Sequence, residues 1–151
     1  PDMETVSKAI HGGQFPASVL ALGSRAVSRF DSSLYGNTTT ATPRALAVMT
    51  ESLKMMSPSL RDNIRERGAE LRFMIRAAVS ARKVVEVRGV GLLIALVLHK
   101  DLDVMDVERA VRLRGLNVVH GGQNSLRLTP WFSISSEEVS LIAEVLSDVL
   151  G

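Results

Sequence analysis

The sequence has 151 residues, 46% of them hydrophobic, with a formal net charge of +2 and no cysteine. This length and composition are typical of a globular protein with a substantial core. The small net charge gives no reason to expect a nucleic-acid partner, and no apolar run is long enough to cross a membrane. The lack of cysteine excludes disulfides and thiolate ligands and is in keeping with a reducing, cytoplasmic compartment.

A single lysine stands near the start of the chain in an unusual setting. Ser7-Lys8-Ala9-Ile10 is followed by Gly12-Gly13 and Pro16, a pattern that predicts the end of a strand entering a tight loop. An ordinary lysine is protonated at neutral pH and is a poor nucleophile, so burial or conversion to an imine is needed to make it reactive. We expect the apolar setting of Lys8 to offer that burial and its amine to condense with a carbonyl. On these residues alone, a solvated lysine is the simpler interpretation.

The next stretch alternates apolar runs with turn residues. Phe15 to Leu22 is apolar and mostly small, which predicts a buried strand, and Arg25 to Phe30 predicts a short helical turn. The segment from Thr38 to Thr40 is predicted to be a strand or loop that exposes hydroxyls to an anion. From Pro43 to Arg82 the apolar spacing becomes helical, with a break near Ser57, where Ser-Pro suits a new helix start.

The second half of this helical region carries charges of both signs. Its basic and acidic residues are interleaved, namely Arg61, Arg65, Arg72 and Arg76 with Asp62, Glu66 and Glu70. We therefore expect a solvated helix with i,i+4 ion pairs rather than a nucleic-acid surface.

The remainder of the chain predicts an α+β unit. Val84 to Val87 and Leu92 to Leu98 are predicted strands on either side of a tight turn at Arg88 to Gly91. Asp103 to Arg114 has the spacing of an amphipathic helix, which Gly115 ends.

Two short strands and a terminal helix complete this unit. Val118 to His120 and Ser125 to Leu128 flank a Gly-Gly turn, and Ser135 with Glu138 forms a capping box ahead of the last helix. The aromatic pair Trp131-Phe132 could either narrow a binding pocket or cap the core of this unit, and we expect it to cap the core. The three histidines of the chain lack metal-ligand spacing, so we expect no metal site.

Four motifs, in order along the chain, resemble those of the class III aminotransferases, which are fold-type I enzymes that use pyridoxal phosphate. The signature PDxxxxSKAxxGGxxP is matched by Pro1-Asp2, Ser7-Lys8-Ala9, Gly12-Gly13 and Pro16. The family's G-S-T-x-x-x-x-P segment is similar to Gly36-Asn37-Thr38 with Pro43. Its R-G-x-G-L and R-L-x-P motifs are matched by Arg88 to Leu92 and by Arg127 to Pro130. Each motif alone is weak, but their common order across almost the whole chain is specific.

The resemblance implies an α/β fold of the fold-type I aminotransferase kind. Residues 1–56 would form the end of a large cofactor-binding domain, and residues 57–151 would form a small C-terminal α+β domain. The chain would then be the C-terminal portion of such an enzyme, beginning just before the cofactor lysine. We expect this portion alone to be inactive.

The resemblance also assigns roles to three residues. Lys8 would hold pyridoxal phosphate as a Schiff base and act as general base and acid, and Arg127 would bind a substrate carboxylate. Thr38 would contact the cofactor phosphate of a neighbouring subunit, which implies a homodimer with shared active sites. From the residues alone, Thr38 is equally suited to a plain strand, and Arg127 to an ion pair with an acid of its own domain.

The implied reaction transfers an amino group between an amino acid or amine and a carbonyl compound. The expected partners are therefore a small amino donor and a small carbonyl acceptor, with neither nucleic acid nor a membrane involved. Two alternatives stay open at this point. One is another class III reaction on the same fold, by a decarboxylase, racemase or aminomutase. The other is a non-catalytic dimerisation or interaction module.

Overall fold

The computed structural model describes residues 1–31, 33 and 41–151, and the chain divides into two units, Pro1–Ser57 and Pro58–Gly151. The predicted segment around Thr38 lies outside the described residues. No helix among the residues described is both long and apolar enough to span a bilayer.

The first unit contains a two-stranded antiparallel sheet and short helices. Its elements are β1 (Met3–Ser7), a 3-10 helix (Lys8–His11), β2 (Ser18–Leu22), α1 (Ser24–Val27) and α2 (Pro43–Met55). The register pairs Met3 with Leu22 and Ser7 with Ser18. Although the apolar run that contains β2 does form a strand, the prediction that it is buried is wrong, because β1 is its only strand partner among the described residues.

The long helical region is interrupted where the Ser-Pro pair predicts it. α2 ends at Met55 and α3 (Pro58–Ala78) begins three residues later. A proline suits the first turn of a helix because the amide hydrogen that it lacks has no partner there. Pro43 and Pro58 each stand at such a position.

The second unit is a four-stranded antiparallel sheet with helices on one face. Its strands are β3 (Val84–Val90), β4 (Leu93–Leu98), β5 (Val119–Gly121) and β6 (Ser125–Leu128), in the order β3-β4-β6-β5. Its helices are α3, α4 (Val104–Leu113) and α5 (Ser136–Leu150).

Side-chain alternation along the strands gives this sheet one buried face and one open face. The buried face is apolar and consists of Val84, Val87, Ile94, Leu96, Leu98, Leu126 and Leu128. It packs with Leu71 and Ile75 of α3 and with Val139 and Leu146 of α5 in one core. Leu93 and Arg127 lie on the open face and are exposed.

Side-chain caps begin both α4 and α5, and the cap of α5 is the predicted one. Asp103 caps α4 by accepting hydrogen bonds from the amides of Met105 and Asp106, at 2.7 and 3.3 Å. The capping box of α5 is complete, since Ser135 Oγ accepts from the Glu138 amide and Glu138 Oε2 accepts from the Ser135 amide. Both helix starts are thus fixed by local side chains.

The Arg88-Gly89-Val90-Gly91 motif is not the tight turn that the sequence predicts. Arg88 to Val90 belong to β3, and the chain reverses at Gly91-Leu92. Gly89 lets the strands approach closely, because a Cβ there would lie 2.1 Å from the Leu93 carbonyl oxygen. Gly91 adopts a left-handed φ of 54°, which glycine tolerates best. The two glycines therefore shape a hairpin, and the arginine stands on a strand.

One face of α3 holds this hairpin. A Cβ at Gly68 would lie 2.2 Å from the Gly91 carbonyl oxygen, so helix and hairpin backbones are in direct contact. Arg72 donates to the Gly91 carbonyl at 3.1 Å, and Arg76 donates to the Val87 carbonyl at 2.7 Å. The predicted i,i+4 ion pairs are wrong in spacing: Arg65–Asp62 and Arg67–Glu70 are i,i+3, and Arg67–Glu66 joins adjacent residues.

Candidate functional site

Lys8 lies immediately after β1, as its sequence setting predicts. It opens the 3-10 helix and has a φ of 53°. A left-handed backbone is uncommon for a residue other than glycine, asparagine or aspartate, and such strained residues cluster at functional sites. The conformation marks Lys8 as a candidate for a role beyond filling a loop.

The backbone around Lys8 is fixed by local hydrogen bonds. Ser7 Oγ donates to the Ala17 carbonyl at 2.9 Å, across the pair of strands. After the 3-10 helix, Gly12 and Gly13 have φ values of 56° and 74°, and the Gly13 amide donates to His11 Nδ1 at 3.1 Å. These contacts hold the chain on both sides of the lysine.

The amine of Lys8 is exposed and unpaired in the part of the chain that the structure describes. Within the described part of the first unit, Lys8 Nζ has neither an ion-pair partner nor a hydrogen-bond partner, and the side chain is exposed. The expected burial of this lysine is therefore not provided by these residues. A primary amine that no carboxylate holds fits a ligand with a reactive carbonyl, such as the aldehyde of pyridoxal phosphate.

Asp2 has a structural contact rather than a place beside the amine. Its carboxylate forms an ion pair with Arg25, and its carbonyl accepts from the Gly23 amide at 2.8 Å. A Cβ at Gly23 would lie 3.4 Å from that carbonyl oxygen. Asp2 thus ties the start of β1 to the start of α1.

Arg127 lies in the middle of β6 on the open face of the sheet. It is directly opposite Ala95 of β4 and Val119 of β5, and its side chain is exposed. Within residues 58–151, all of which are described, no acid forms an ion pair with it. The second unit therefore does not show the alternative in which Arg127 forms an ion pair with an acid of its own domain. Its guanidinium can bind a carboxylate through two parallel hydrogen bonds.

The strand register brings a second arginine next to Arg127. Arg88 of β3 is opposite Ala95, which is itself opposite Arg127. Sequence analysis missed Arg88 as a functional candidate because it assigned the residue to a turn. Val87 of β3 is buried, and Arg88 to Val90 after it are exposed.

Trp131 and Phe132 are exposed, so the expectation that they cap the core is wrong. Their exposed fractions are 63% and 40%, whereas Ile134 is 2% exposed and takes the core position. Asn63 of α3 fixes this segment by donating from Nδ2 to the carbonyls of Phe132 and Ile134, at 2.8 and 3.2 Å. The backbone is thus held so that Ile134 points inward.

A cavity of about 520 Å³ lies beside the exposed tryptophan. Its lining is mostly apolar and includes Leu116, Leu128, Pro130, Trp131, Leu141 and Ile142. It begins where β6 ends, one residue after Arg127.

Glu108 forms a polar cluster that sequence analysis did not identify. Its carboxylate accepts hydrogen bonds from the His120 amide at 2.9 Å and from His120 Nδ1 at 2.7 Å, and Arg112 Nε lies 3.1 Å from Oε1. The His120 side chain lowers the pKa of Glu108 the most, and burial opposes this shift. The cluster joins α4 to β5. It is not a metal site, since the residues that the structure describes contain no group of three or more His, Cys, Asp or Glu that could hold a metal ion.

The chain belongs to the class-III aminotransferase family, whose model matches residues 1–150. Among curated relatives, it is 32% identical over 153 residues to the ornithine aminotransferase of Bordetella pertussis, covering 99% of this chain and 36% of the relative. It is 30% identical to the acetylornithine aminotransferase of Ralstonia nicotianae, with 99% and 38% coverage. The chain thus spans little more than a third of the length of these relatives.

Solved structures show the same fold. The ornithine delta-aminotransferase of Plasmodium falciparum superposes with a TM-score of 0.89 at 27% identity, over 99% of this chain and 40% of that one. The ornithine aminotransferase of Toxoplasma gondii, described with partial occupancy of pyridoxal phosphate at its active site, has a TM-score of 0.88 at 24% identity, over 99% and 36%. The expected α/β fold of the fold-type I aminotransferases is confirmed.

Proposed function

We propose that this chain contributes the cofactor lysine and a substrate-binding arginine to a pyridoxal-phosphate-dependent aminotransferase. The enzyme would transfer an amino group between an amino acid or amine and a carbonyl compound. The observation that carries the proposal is Lys8: an amine with no partner among the described residues, directly after a strand and in a strained backbone conformation, within a chain that matches the class-III family from end to end.

Lys8 is proposed to have two tasks. Its Nζ would hold pyridoxal phosphate covalently, and the same nitrogen, once released, would move a proton at the substrate carbon that bears the amino group. The cofactor, when bound, supplies an electron sink that stabilises negative charge on that carbon. The loop that follows Lys8, held by the Gly13–His11 hydrogen bond, would keep the amine in place.

Arg127 is proposed to bind a carboxylate of the amino donor. Its guanidinium is exposed and has no acidic partner in the second unit, so it can offer a complete fork of donors. Thr38 is proposed, from its family motif, to contact the phosphate of the cofactor in a neighbouring subunit. A homodimer with shared active sites, working in the cytoplasm, follows as part of the same proposal.

The division of labour along the chain is proposed as well. Residues 1–56 would be the end of the large cofactor-binding domain, and residues 57–151 would be the small C-terminal domain. The assignment is supported by the content of the two units, since Lys8 lies in the first and Arg127 lies on the sheet of the second.

Covalent trapping tests the role of Lys8 directly. The protein as encoded, with any residues that precede Pro1, would be incubated with pyridoxal phosphate, reduced with borohydride, digested and mapped by mass spectrometry. We expect the cofactor mass on the peptide that contains Lys8. Lys8→Ala should lose both the label and the visible absorbance of bound cofactor, with activity lower by roughly 100-fold or more.

Lys54→Ala is the matched control for this experiment. Lys54 is an exposed lysine on α2 that is paired with Glu51, so its removal should change neither label nor activity. A label spread over exposed lysines, with no preference for Lys8, would refute the proposal and leave the non-catalytic module as the better description.

Product analysis separates transamination from the other class III reactions. With ornithine or acetylornithine as donor, suggested by the relatives, and a keto acid as acceptor, a transaminase must form a new carbonyl product and a new amino acid in equal amounts. Release of carbon dioxide, inversion of the donor or migration of its amino group would point instead to a decarboxylase, a racemase or an aminomutase.

A further inference from the structure

The helices of the second unit lie side by side, with α5 in the middle. α5 packs against α3 on one side and against α4 on the other. Ser136, at the start of α5, donates from Oγ to the Glu70 carboxylate of α3. At the other end of α5, the Leu150 carbonyl accepts from the Ser80 amide at 2.7 Å, so α3 and α5 run in the same direction. The sheet covers the inner side of these helices and leaves their outer side exposed.

The outer side of α5 is acidic. Four of its exposed residues recur at intervals of three and four, as residues on one side of a helix do, and are Glu137, Leu141, Glu144 and Asp148. α5 contains no basic residue. Asp148 lies in the last turn, where the helix dipole disfavours negative charge, so the stability of the helix itself does not account for this acidic stripe.

The outer side of α4 is basic and apolar. Arg109 is exposed, and Met105 and Leu113 lie one turn before it and one turn after it. These two apolar side chains are 54% and 82% exposed. Asp106 is exposed as well, but it lies in the first turn, where the helix dipole favours an acid. α4 therefore presents an arginine between two apolar side chains.

Two charges of these outer sides are unpaired in the second unit. Within residues 58–151, all of which are described, Arg109 and Glu144 have neither an ion-pair partner nor a hydrogen-bond partner. Arg114, at the end of α4, lies 3.9 Å from Asp148 of α5, so this part of the basic helix is directly beside the acidic one. An unpaired cation and an unpaired anion thus stand on neighbouring helices of one face.

Each of the three helices also exposes a large apolar side chain. Phe73 of α3 is 73% exposed and Leu141 of α5 is 58% exposed. Both lie about one helical turn beyond the contact between Glu70 and Ser136, so they stand at about the same level of neighbouring helices. A single exposed apolar residue is ordinary, but an apolar pair bordered by charges is typical of a surface that binds another protein.

We propose that this outer helix face binds a second copy of the chain, with α4 of each copy against α3 and α5 of the other. Arg109 would pair with Glu144 of the partner subunit. Leu113 would pack against Phe73 of the partner subunit and Leu141 of the partner subunit. Opposite charges select this arrangement, because α5 against α5 would bring acids together.

Two-fold symmetry allows the contact to be made twice. Because α4 and α5 are neighbours in one copy, an axis that brings α4 onto the α5 of the other copy also brings α5 onto its α4. Stable contacts bury about 1,000 Å² or more in total, which favours such a repeated contact over a single docked helix. The face includes neither Lys8 nor Arg127. The contact would come in addition to the proposed homodimer with shared active sites and would join two such dimers.

Sedimentation velocity of the protein as encoded tests the inference. From about 1 to about 100 µM, the parent should form a species of twice the mass of its smaller form, and added salt should favour the smaller form. Arg109→Glu and Glu144→Arg should each raise the dissociation constant of this step at least about tenfold, because each brings like charges together. The double variant exchanges the two charges and should return to within about threefold of the parent.

Three further variants separate this contact from general effects on the surface. Leu113→Ser removes an apolar contact and should weaken association about tenfold or more. Val90→Ser is its matched control, since Val90 is 86% exposed but lies on β3. Arg82→Glu changes an exposed arginine between α3 and β3 and is the control for net charge. Both controls should leave the dissociation constant unchanged.

Three results would overturn the inference. The first is a parent with the same mass as Arg109→Glu at every concentration, which would mean that this face serves another partner or none. The second is a double variant that stays as dissociated as the single ones, because a direct pair must be restored by exchange. The third is an equal effect of Arg82→Glu, which would assign the change to net charge. Labelling of Lys8 is a separate measurement, so failure of the proposed function would be recognised independently.

Discussion

Glu108 is a carboxylate whose folded environment lowers its pKa below the usual value of about 4.5, chiefly through the hydrogen bond with His120. A carboxyl group with a lowered folded pKa adds stability that is complete above its unfolded pKa and is lost as the pH falls through the folded one. The other charged group that faces it is Arg112, at 3.1 Å. The cluster should therefore hold α4 on β5 less firmly in acid.

Glu108→Gln should accordingly destabilise the protein most near neutral pH. We expect the difference in thermal midpoint between parent and variant to be largest above about pH 5 and to shrink as the pH falls and the parent's own carboxylate becomes protonated. Thermal unfolding over this range measures it. Glu86→Gln, an exposed change on β3, is the control. A difference that stays constant with pH would count against the assignment.

The backbone position of a residue depends mainly on its neighbours in sequence, whereas its burial depends on residues far along the chain. The place of Lys8 after a strand was predictable, because the serine, small residues and glycines around it are neighbours in sequence. Its exposure was not, and neither was that of Trp131, because burial depends on partners far along the chain. Asn63 lies 69 residues from Phe132, yet it helps to decide which side chain of that segment turns inward.

The contact between α3 and the β3–β4 hairpin gives a prediction for a whole element. A Cβ at Gly68 would meet three backbone atoms of Gly91 at 2.2 to 2.8 Å, and backbone cannot rotate away as a side chain can. Gly68→Ala should therefore push the helix off the hairpin and lower the free energy of unfolding by about 1–3 kcal/mol. Native-state hydrogen exchange of the amides in residues 58–98 measures this local loss.

Gly121→Ala is the matched control on β5. Nothing lies within 4 Å of a Cβ built there, so the change should stay within about 1 kcal/mol of the parent. Equal effects of the two variants would mean that the loss of glycine, and not the close approach to the hairpin, determines the result.

For helices and strands, the residues that begin a helix were better guides to the structure than the patterns used to predict burial. The capping box at Ser135 and the proline at position 58 each predicted a helix start, because such signals act on amides within the first turn of the helix. The R-G-x-G motif misled the assignment, since glycines that serve close strand packing have the same sequence appearance as glycines of a turn. The pairing of Arg88 with Ala95 is likewise a product of register across strands.

For the molecule as a whole, the family and the fold were predictable from motif order, and the complete site was not. The chain spans 36% of the Bordetella pertussis relative. In the family that it resembles, the acid facing the pyridine nitrogen, the ring-stacking partner and most of the phosphate cup precede the lysine. Of the groups that such a site needs, the described residues of this chain offer candidates for two, the cofactor lysine (Lys8) and the carboxylate-binding arginine (Arg127).

The 151 residues alone should accordingly show no transamination. A candidate amine and a carboxylate-binding arginine, without those other groups, have little means of holding a phosphorylated cofactor. Turnover of the isolated chain would be compared with that of the protein as encoded, after circular dichroism has shown that the isolated chain is folded. Turnover by the chain alone at an ordinary enzymatic rate, about 1 per second or more, would contradict this expectation.

The bonds from Arg72 and Arg76 to carbonyls of the hairpin also bear on how this protein can be recombined with its relatives. Both arginines bind main-chain oxygens, so these contacts depend on the backbone shape of the hairpin. A chimera that takes the hairpin from a relative and keeps this α3 would lose the hydrogen bonds of Arg72 and Arg76 and the close contact at Gly68. Crossover points for chimeras are better placed at Ser57 than between residues 78 and 84. Residues 58–98 should be exchanged as one block.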